Sequence, residues 1–396
     1  MPKPPILDEQ LAEQPKEVVF CTKCVVSNQR PRTTFNAEGI CSACEYAHRK
    51  NHVIDWDARE QELRELLDKH RSKDGSYDCI VPASGGKDSG LVAHQLKHKY
   101  GMHPLTVTWA PFLYTDIGWK NYINFVHSGF DNILFHHDGV LHRKLSRIAF
   151  EIHGDHWDPF NYGQKTYAFN MAVKFNIPLM FYGENGEVEY GGSLKYADKP
   201  CESPEDWAGL YFKGGGIDRL VEQGVAAGIL TKEEALPKRF EMYKAPPLEI
   251  LQKNNIQMHW WSYYHKWVPQ ENYYYAQKHT GFQANPDGRS EGTYSKYASL
   301  DDKTDGFHWY LSYIKFGLGR ASREAQMEIR SGHITREEGV ALVRRFDGEF
   351  PKKYFKEFLE YLGITEEYFW EVIDRYRPEH LWEKVNGEWK LRHVVS

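Results

Sequence analysis

Between residues 77 and 183 the chain alternates short apolar runs with longer stretches whose apolar residues recur every three or four positions. "YDCIVPA", "HPLTVTWA", "FDNILFHH" and "IPLMFYG" read as strands. "LVAHQLKHKYG", ending at Gly101, "IGWKNYINFVHSG", "GVLHRKLSRIAFEIHG" and "YGQKTYAFNMAVKFN" read as helices. Strands alternating with helices of this length predict βαβ units and a parallel sheet, an α/β fold whose ligands bind at the carboxyl ends of the strands. Upstream, "DWDAREQELRELLDKHRSK" places Leu63, Leu66 and Leu67 at helical spacing and predicts an amphipathic helix packed on the domain. A fifth strand is expected in "NNIQMHWWSYYHKW" and a helix in "PQENYYYAQKHTG". The Trp and Tyr run there suits base stacking, but its alternating spacing favours a half-buried strand.

Beyond Gly281 a Gly- and Ser-rich loop leads into a mostly helical region, in which "TREE" (335–338) reads as a capping box. The expected organisation is a mobile tail over 1–15, a cysteine-bearing module over 16–52, the sheet domain over 53–282, and a loop plus helical domain over 283–396. There is no internal repeat. A chain of 396 residues fits two or three domains. Its net charge of −5 opposes general nucleic-acid binding. The first residues lack an apolar h-region and the apolar runs are too short to span a bilayer, so the expectation is a soluble cytoplasmic protein without membrane insertion.

The cysteines change this picture. Cys21-x-x-Cys24 and Cys41-x-x-Cys44, separated by 16 residues, have the spacing of a four-thiolate zinc site. Two disulfides are the alternative, disfavoured in a reducing compartment. Four thiolates leave no open coordination position, so the expected role is structural. Cys79 sits in an apolar strand and is expected in the core, and Cys201 in a loop.

The stretch "VPASGGKDSG" (81–90) follows the first strand and opens a helix. It is neither G-x-x-x-x-G-K-[ST] nor G-x-G-x-x-G. Glycines that let backbone approach, amides at a helix N-terminus and two serines nevertheless suit a phosphate group. "SGGKDS" (84–89) resembles the pyrophosphate loop of the N-type ATP pyrophosphatases, pattern S-G-G-x-D-S. That resemblance implies a parallel-sheet, Rossmann-like PP-loop domain, ATP held by Ser84, Gly85, Gly86, Lys87, Asp88 and Ser89, and Mg²⁺ held partly by Asp88. The superfamily's G-x-N-x-[DE] signature is met by Gly183, Asn185 and Glu187, which implies Asn185 at the nucleotide and Glu187 as a second Mg²⁺ ligand. Lys87, Asp88 and Glu187 are the implied catalytic set.

With "CTKCVVSNQRPRTTFNAEGICSACEYA", "DPFNYGQ" and "SEGTYSKYASLDDKTDGFHWYLSYIKFGLGR", the whole chain resembles the N-acetyl sugar amidotransferases of bacterial surface-glycan biosynthesis, lipopolysaccharide O-antigen included. The resemblance implies a small N-terminal zinc-ribbon module, the ATP pyrophosphatase domain and a helical C-terminal region. It implies conversion of an acetamido group on a nucleotide-activated or nine-carbon sugar to an acetamidino group, through an O-adenylyl intermediate. Ammonia would come from partners resembling the glutaminase and cyclase subunits of imidazole glycerol phosphate synthase. Tyr162, Gln164, Glu291, Lys296, Asp301, Lys315 and Arg320 are candidate substrate contacts, each also readable as a solvated loop or helix face. Thr108–Ala110 are expected near the adenine, and His136 and His137 either near the nucleotide or as polar strand caps. Two other readings stay open: an adenylylating RNA-modifying enzyme gripping RNA through the basic residues of the cysteine module, and a non-catalytic adenine-nucleotide sensor. Against thiolation, "DPFNYGQKTY" (158–167) has no cysteine where thiolating relatives commonly carry one.

Overall fold

A computed structural model describes residues 5–201 and 216–396. Strands β1 (Cys79–Pro82), β2 (Pro104–Trp109), β3 (Asn132–Phe135), β4 (Leu179–Tyr182) and β5 (Gln257–Trp260) form one parallel sheet in the order β3-β2-β1-β4-β5. Before the sheet come helices α1 (Glu9–Ala12), α2 (Ser42–His52) and α3 (Trp56–His70). Within the sheet domain lie α4 (Lys87–His98), α5 (Asp116–His127), α6 (Gly139–His153), α7 (Asp158–Phe175) and α8 (Gly186–Tyr190). They are followed by α9 (Gly216–Ala226), α10 (Leu248–Lys253), α11 (Trp261–Tyr264) and α12 (Pro269–His279). The C-terminal region holds α13 (Asp305–Phe316), α14 (Arg320–Arg330), α15 (Arg336–Phe346), α16 (Phe355–Leu362) and α17 (Glu366–Asp374), then an antiparallel hairpin, β6 (Trp382–Val385) and β7 (Glu388–Leu391).

The period-2 pattern of the strands sorts their side chains into two cores. Ile80 and Met180 face one, with α6, α7 and the aromatic face of α13; Cys79, Val81, Leu179 and Phe181 face the other, with α3 and α4. A sheet covered on both faces explains why its strands read as continuous apolar runs. Strand order reverses at β1, which has β2 on one side and β4 on the other. The crevice at the carboxyl ends of β1 and β4 is therefore the place where such a sheet leaves room for a ligand.

Two expectations need correction. Only residues 257–260 of the aromatic run are strand; Trp261 begins the short helix α11. Trp260 and Trp261 enter opposite cores, and with Trp267 they are fully buried rather than half-buried, so the run presents no exposed stacking surface. Secondly, residues 5–15 of the expected tail are docked on the body. Leu7 N–H donates to Ile152 O at 2.7 Å, and Gln14 Nε2 to Lys315 O at 2.8 Å. The C-terminal region is mostly helical as expected, and it ends in the β6–β7 hairpin, whose turn places Asn386 and Gly387 both at positive φ. The Thr335–Glu338 capping box is present, both of its reciprocal bonds formed. No helix among the described residues is long and apolar enough to cross a membrane.

The docked tail also accounts for Lys315. Asp8 caps α1 through Oδ1, and its Oδ2 accepts from Lys315 Nζ at 2.8 Å; the two side chains are 1% and 3% exposed. Lys315 donates in addition to His153 O at 2.9 Å. A buried ion pair that loses one partner strands the other charge, at a cost of about 3–5 kcal/mol. Asp8→Ala should therefore lower unfolding stability by about that amount in denaturant titrations, whereas pairing Asp8→Leu with Lys315→Met should recover most of the loss.

Candidate functional site

Ser84–Ser89 link the end of β1 to α4 across the crevice. Gly85 holds φ +83°, and a Cβ there would lie 2.5 Å from Tyr122 Cα on α5, so only glycine lets this turn pack against that helix. Gly86 caps α4 without a side-chain cap. The helix's first N–H groups consequently point to the crevice with the positive end of its dipole, the standard arrangement for receiving an anion. Ser84, Gly86, Lys87, Asp88 and Ser89 line a cavity of about 630 Å³. Gly85 faces α5 instead. Asp88 pairs with the neighbouring Lys87 and accepts from Asn272 Nδ2 at 2.8 Å.

The opposite edge comes from the end of β4. Asn185 caps α8 by accepting the Glu187 N–H at 3.1 Å, which makes it a positioning residue outside the cavity lining. Glu187 lines the cavity but is committed to Arg32. Arg32 Nη2 donates to Oε1 at 2.6 Å and Nε lies 3.1–3.2 Å from both oxygens, while the Ser193 N–H donates to Oε2 at 3.1 Å. Burial opposes ionisation of Glu187, but the Arg32 guanidinium outweighs it and holds the carboxyl below the usual range. Arg32 adopts φ +63°, uncommon for a side chain of its size, and arrives from the cysteine module. Thr33 Oγ1 donates to Gly191 O at 2.7 Å and Arg30 Nη1 donates to the same oxygen at 2.5 Å, fixing that loop on the end of β4.

The remaining wall belongs to the C-terminal region: Asp301, Asp302, Asp305, Trp309, Arg320 and Arg323. Asp302 Oδ2 accepts from Phe112 N–H at 2.6 Å and its Oδ1 from Thr304 N–H at 2.8 Å, yet burial raises its pKa to about 8. Asp301 is raised to about 6, first by burial and then by Asp305. Gly118 of α5 packs on Asp301, and Tyr122 packs on Gly85, four residues along the same helix. At 1.5 Å per residue, the Asp301 backbone lies within about one helical turn, roughly 6 Å of rise, of the phosphate-type loop.

Among the candidates from sequence, Gln164, Asp301 and Arg320 line the cavity and Tyr162 does not, being buried behind it. Glu291 instead accepts the Lys353 N–H at 3.0 Å, Lys296 lies exposed outside the lining, and Lys315 is locked to Asp8. Thr108 and Trp109 line the cavity while Ala110 is buried outside it. His136 and His137 lie outside the lining, and His137 stacks on His142 with ring centroids 3.5 Å apart. Sequence reasoning missed Arg30, Arg32, Trp309 and Arg323. The run "NQRPR" was the available signal for the first two.

The four cysteines converge at the cavity's flank. Their Sγ atoms all lie within 4.8 Å of one another, with Cys21–Cys44 at 3.9 Å and Cys24–Cys41 at 3.7 Å. A tetrahedron with Zn–S of about 2.3 Å has edges of about 3.8 Å, so this set fits zinc. Arg330 Nη2 lies 4.0 Å from Cys24 Sγ, where its charge favours thiolates. The module packs on Leu318 and Ile329 of the C-terminal region.

Residues 291–395 match the family described as "LPS biosynthesis protein WbpG-like, C-terminal domain". That supports a bacterial glycan-biosynthesis family for the segment that walls the cavity. A second similarity, 33% identity over 89 residues, is to "Uncharacterized protein MJ1599" of Methanocaldococcus jannaschii; it covers 22% of this chain and 31% of that protein. The chain thus spans about a third of the curated relative it matches.

Two outcomes are expected. Elemental analysis should find one zinc per chain, with chelation or Cys24→Ser lowering the melting temperature; a protein that melts identically with and without chelator contradicts the assignment. Because the folded pKa of Asp302 lies above its ordinary value, its contribution to stability is complete below about pH 4 and is lost as pH rises through about 8. Asp302→Asn should flatten the fall in melting temperature across that window, at a loss of about 1–3 kcal/mol at low pH from the backbone donor left without an acceptor.

Proposed function

We propose that this protein is an ATP-dependent amidotransferase of surface-glycan biosynthesis, converting the acetamido group of an N-acetyl sugar to an acetamidino group and releasing AMP and pyrophosphate. One observation carries the reading: the phosphate-type loop and the segment matching a lipopolysaccharide-biosynthesis family line the same cavity. A nucleotide loop alone would leave the chemistry open. A glycan-type segment facing it suggests the acceptor.

In this reading the triphosphate rests on Ser84–Ser89 and the α4 N-terminus. Asp88 and the half-buried Glu184 are the carboxylates that would hold Mg²⁺, which neutralises phosphate charge when bound; Glu187, tied to Arg32, positions the loop of the cysteine module. The acetamido oxygen attacks the α-phosphorus, the bond to the bridging oxygen of pyrophosphate breaks, and the amide becomes an O-adenylyl imidate. Ammonia then adds at the imidate carbon, sheds a proton, and the C–O bond to AMP breaks to leave the amidine. Asp301, with its raised pKa and its place near the loop, is suited to take that proton. The protein's part is mainly placement and charge stabilisation. No cysteine lines the cavity among the described residues, which weighs against a sulfur-transfer route. Ammonia supply by a partner glutaminase belongs to the same proposal.

Incubation with Mg²⁺–ATP, ammonium and a panel of N-acetylated sugars and nucleotide sugars should yield AMP and pyrophosphate, with one acetamido oxygen of a single sugar replaced by NH. Asp88→Asn should lower the rate by about a hundredfold or more. ADP as the product, or AMP formed only with an RNA acceptor, would overturn the reading.

A further inference from the structure

Beside the main cavity lies a second chamber of about 230 Å³, reached past Arg30, Arg32, Trp309 and Arg323, which line both spaces. The two differ in charge. The main cavity is lined by eight carboxylates against six Lys and Arg side chains. The side chamber is lined by four such cations, Arg30, Arg32, Lys315 and Arg323, against the single carboxylate Asp155. Asp155 is itself engaged, His308 Nδ1 lying 3.0 Å from both of its oxygens.

Three of the four cations have a carboxylate partner, Arg32 in Glu187, Lys315 in Asp8 and, at a looser 3.8 Å, Arg323 in Glu184. Among the described residues Arg30 has no carboxylate partner, donating to backbone carbonyls at Gly191 and Pro31. Burial, partly offset by Glu187, pulls its pKa down to about 10, and Arg323, Arg32 and Arg330 add to the pull. Arg323 has Glu184 at 3.8 Å and lies over the rings of Tyr190 and Trp309, at 3.9 and 5.1 Å from their centroids. A guanidinium held by carbonyls and ring faces keeps donors for an anion, and bidentate pairing with phosphate or carboxylate is the geometry it favours.

Resting on the reading above, we propose that the side chamber is the subsite for an anionic group carried by the acceptor sugar, held by Arg30 and Arg323 with Trp309 as its floor. The acceptor would lie across the junction, its acetamido group toward Ser84–Ser89 and its phosphate or carboxylate in the chamber. The main cavity, already rich in carboxylates, is poorly suited to a second anion once a triphosphate is present. The uncharged polar side chains of Gln10, Asn161 and Ser312 complete a lining suited to a sugar or nucleoside portion.

Calorimetric titration of the full chain, saturated with Mg²⁺ and α,β-methylene-ATP, tests this. The probes are UDP-N-acetylglucosamine for a diphosphate, N-acetylneuraminate for a carboxylate, and neutral N-acetylglucosamine. At least one anionic probe should bind tenfold or more tightly than the neutral sugar, and which one does identifies the anion. Arg323→Gln and Arg30→Gln, each checked for an unchanged melting temperature, should remove that advantage without altering binding of the neutral sugar; if Arg30→Gln melts early, Arg323→Gln decides. Equal binding of charged and neutral probes, no binding of either anion at millimolar concentration, or an unchanged advantage in Arg323→Gln overturns the proposal. An intact charge preference without AMP formation in turnover assays would instead sustain the subsite and refute the amidotransferase reading.

Discussion

The Arg32–Glu187 pair ties together two parts of the chain that lie far apart in sequence. Arg32 belongs to the loop between the two cysteine pairs, and Glu187 to the short helix after β4, beside the strand-order reversal. The guanidinium is 39% exposed and the carboxylate 4%, so the pair is buried on one side and opens to the cavity on the other. Arg32 meets Glu187 from a left-handed backbone. Thr33 and Arg30 hold that backbone against Gly191. The cysteine cluster lies in the module that presents the loop, so a metal held there would act on the cavity through these contacts.

Charge is segregated around this clamp. Carboxylates gather where a helix N-terminus and a lysine face the crevice, and guanidinium groups gather in the side chamber. Burial raises Asp301 and Asp302, leaving groups that exchange protons near neutrality beside a loop suited to phosphate. An uncatalysed amide oxygen is a poor nucleophile and a poor leaving group. In the proposed reaction, a cavity that aligned it with a phosphorus and accepted a proton on the far side would address both difficulties without a covalent protein intermediate.

Much of this was legible in the sequence, and the failures have physical causes. The parallel sheet followed from apolar runs alternating with helical spacing, and the Gly85–Gly86 turn from its place between a strand and a helix. The cysteine spacing led to four sulfurs within 4.8 Å. Lys315 misled because its partner, Asp8, is 307 residues away in a segment with no periodicity. Arg32 stood in a visible basic run, "NQRPR", but the positive φ that aims it had no sequence signal of its own. The "WW" pair read as one alternating strand because two residues entering opposite cores satisfy that pattern, even where a helix begins between them. The terminal hairpin did carry a signal, "VNGEW", the Asn-Gly turn between alternating residues.

The fate of a single oxygen atom tests the proposed chemistry most directly. An N-acetyl sugar accepted by the protein would be prepared with ¹⁸O in its acetamido carbonyl and turned over with Mg²⁺–ATP and ammonium in ordinary water, and the nucleotide product weighed by mass spectrometry. Attack of that oxygen on the α-phosphorus predicts AMP carrying the label and an amidine product without it. Unlabelled AMP, with ¹⁸O retained in the sugar, would contradict the mechanism and reduce the nucleotide's role to hydrolysis.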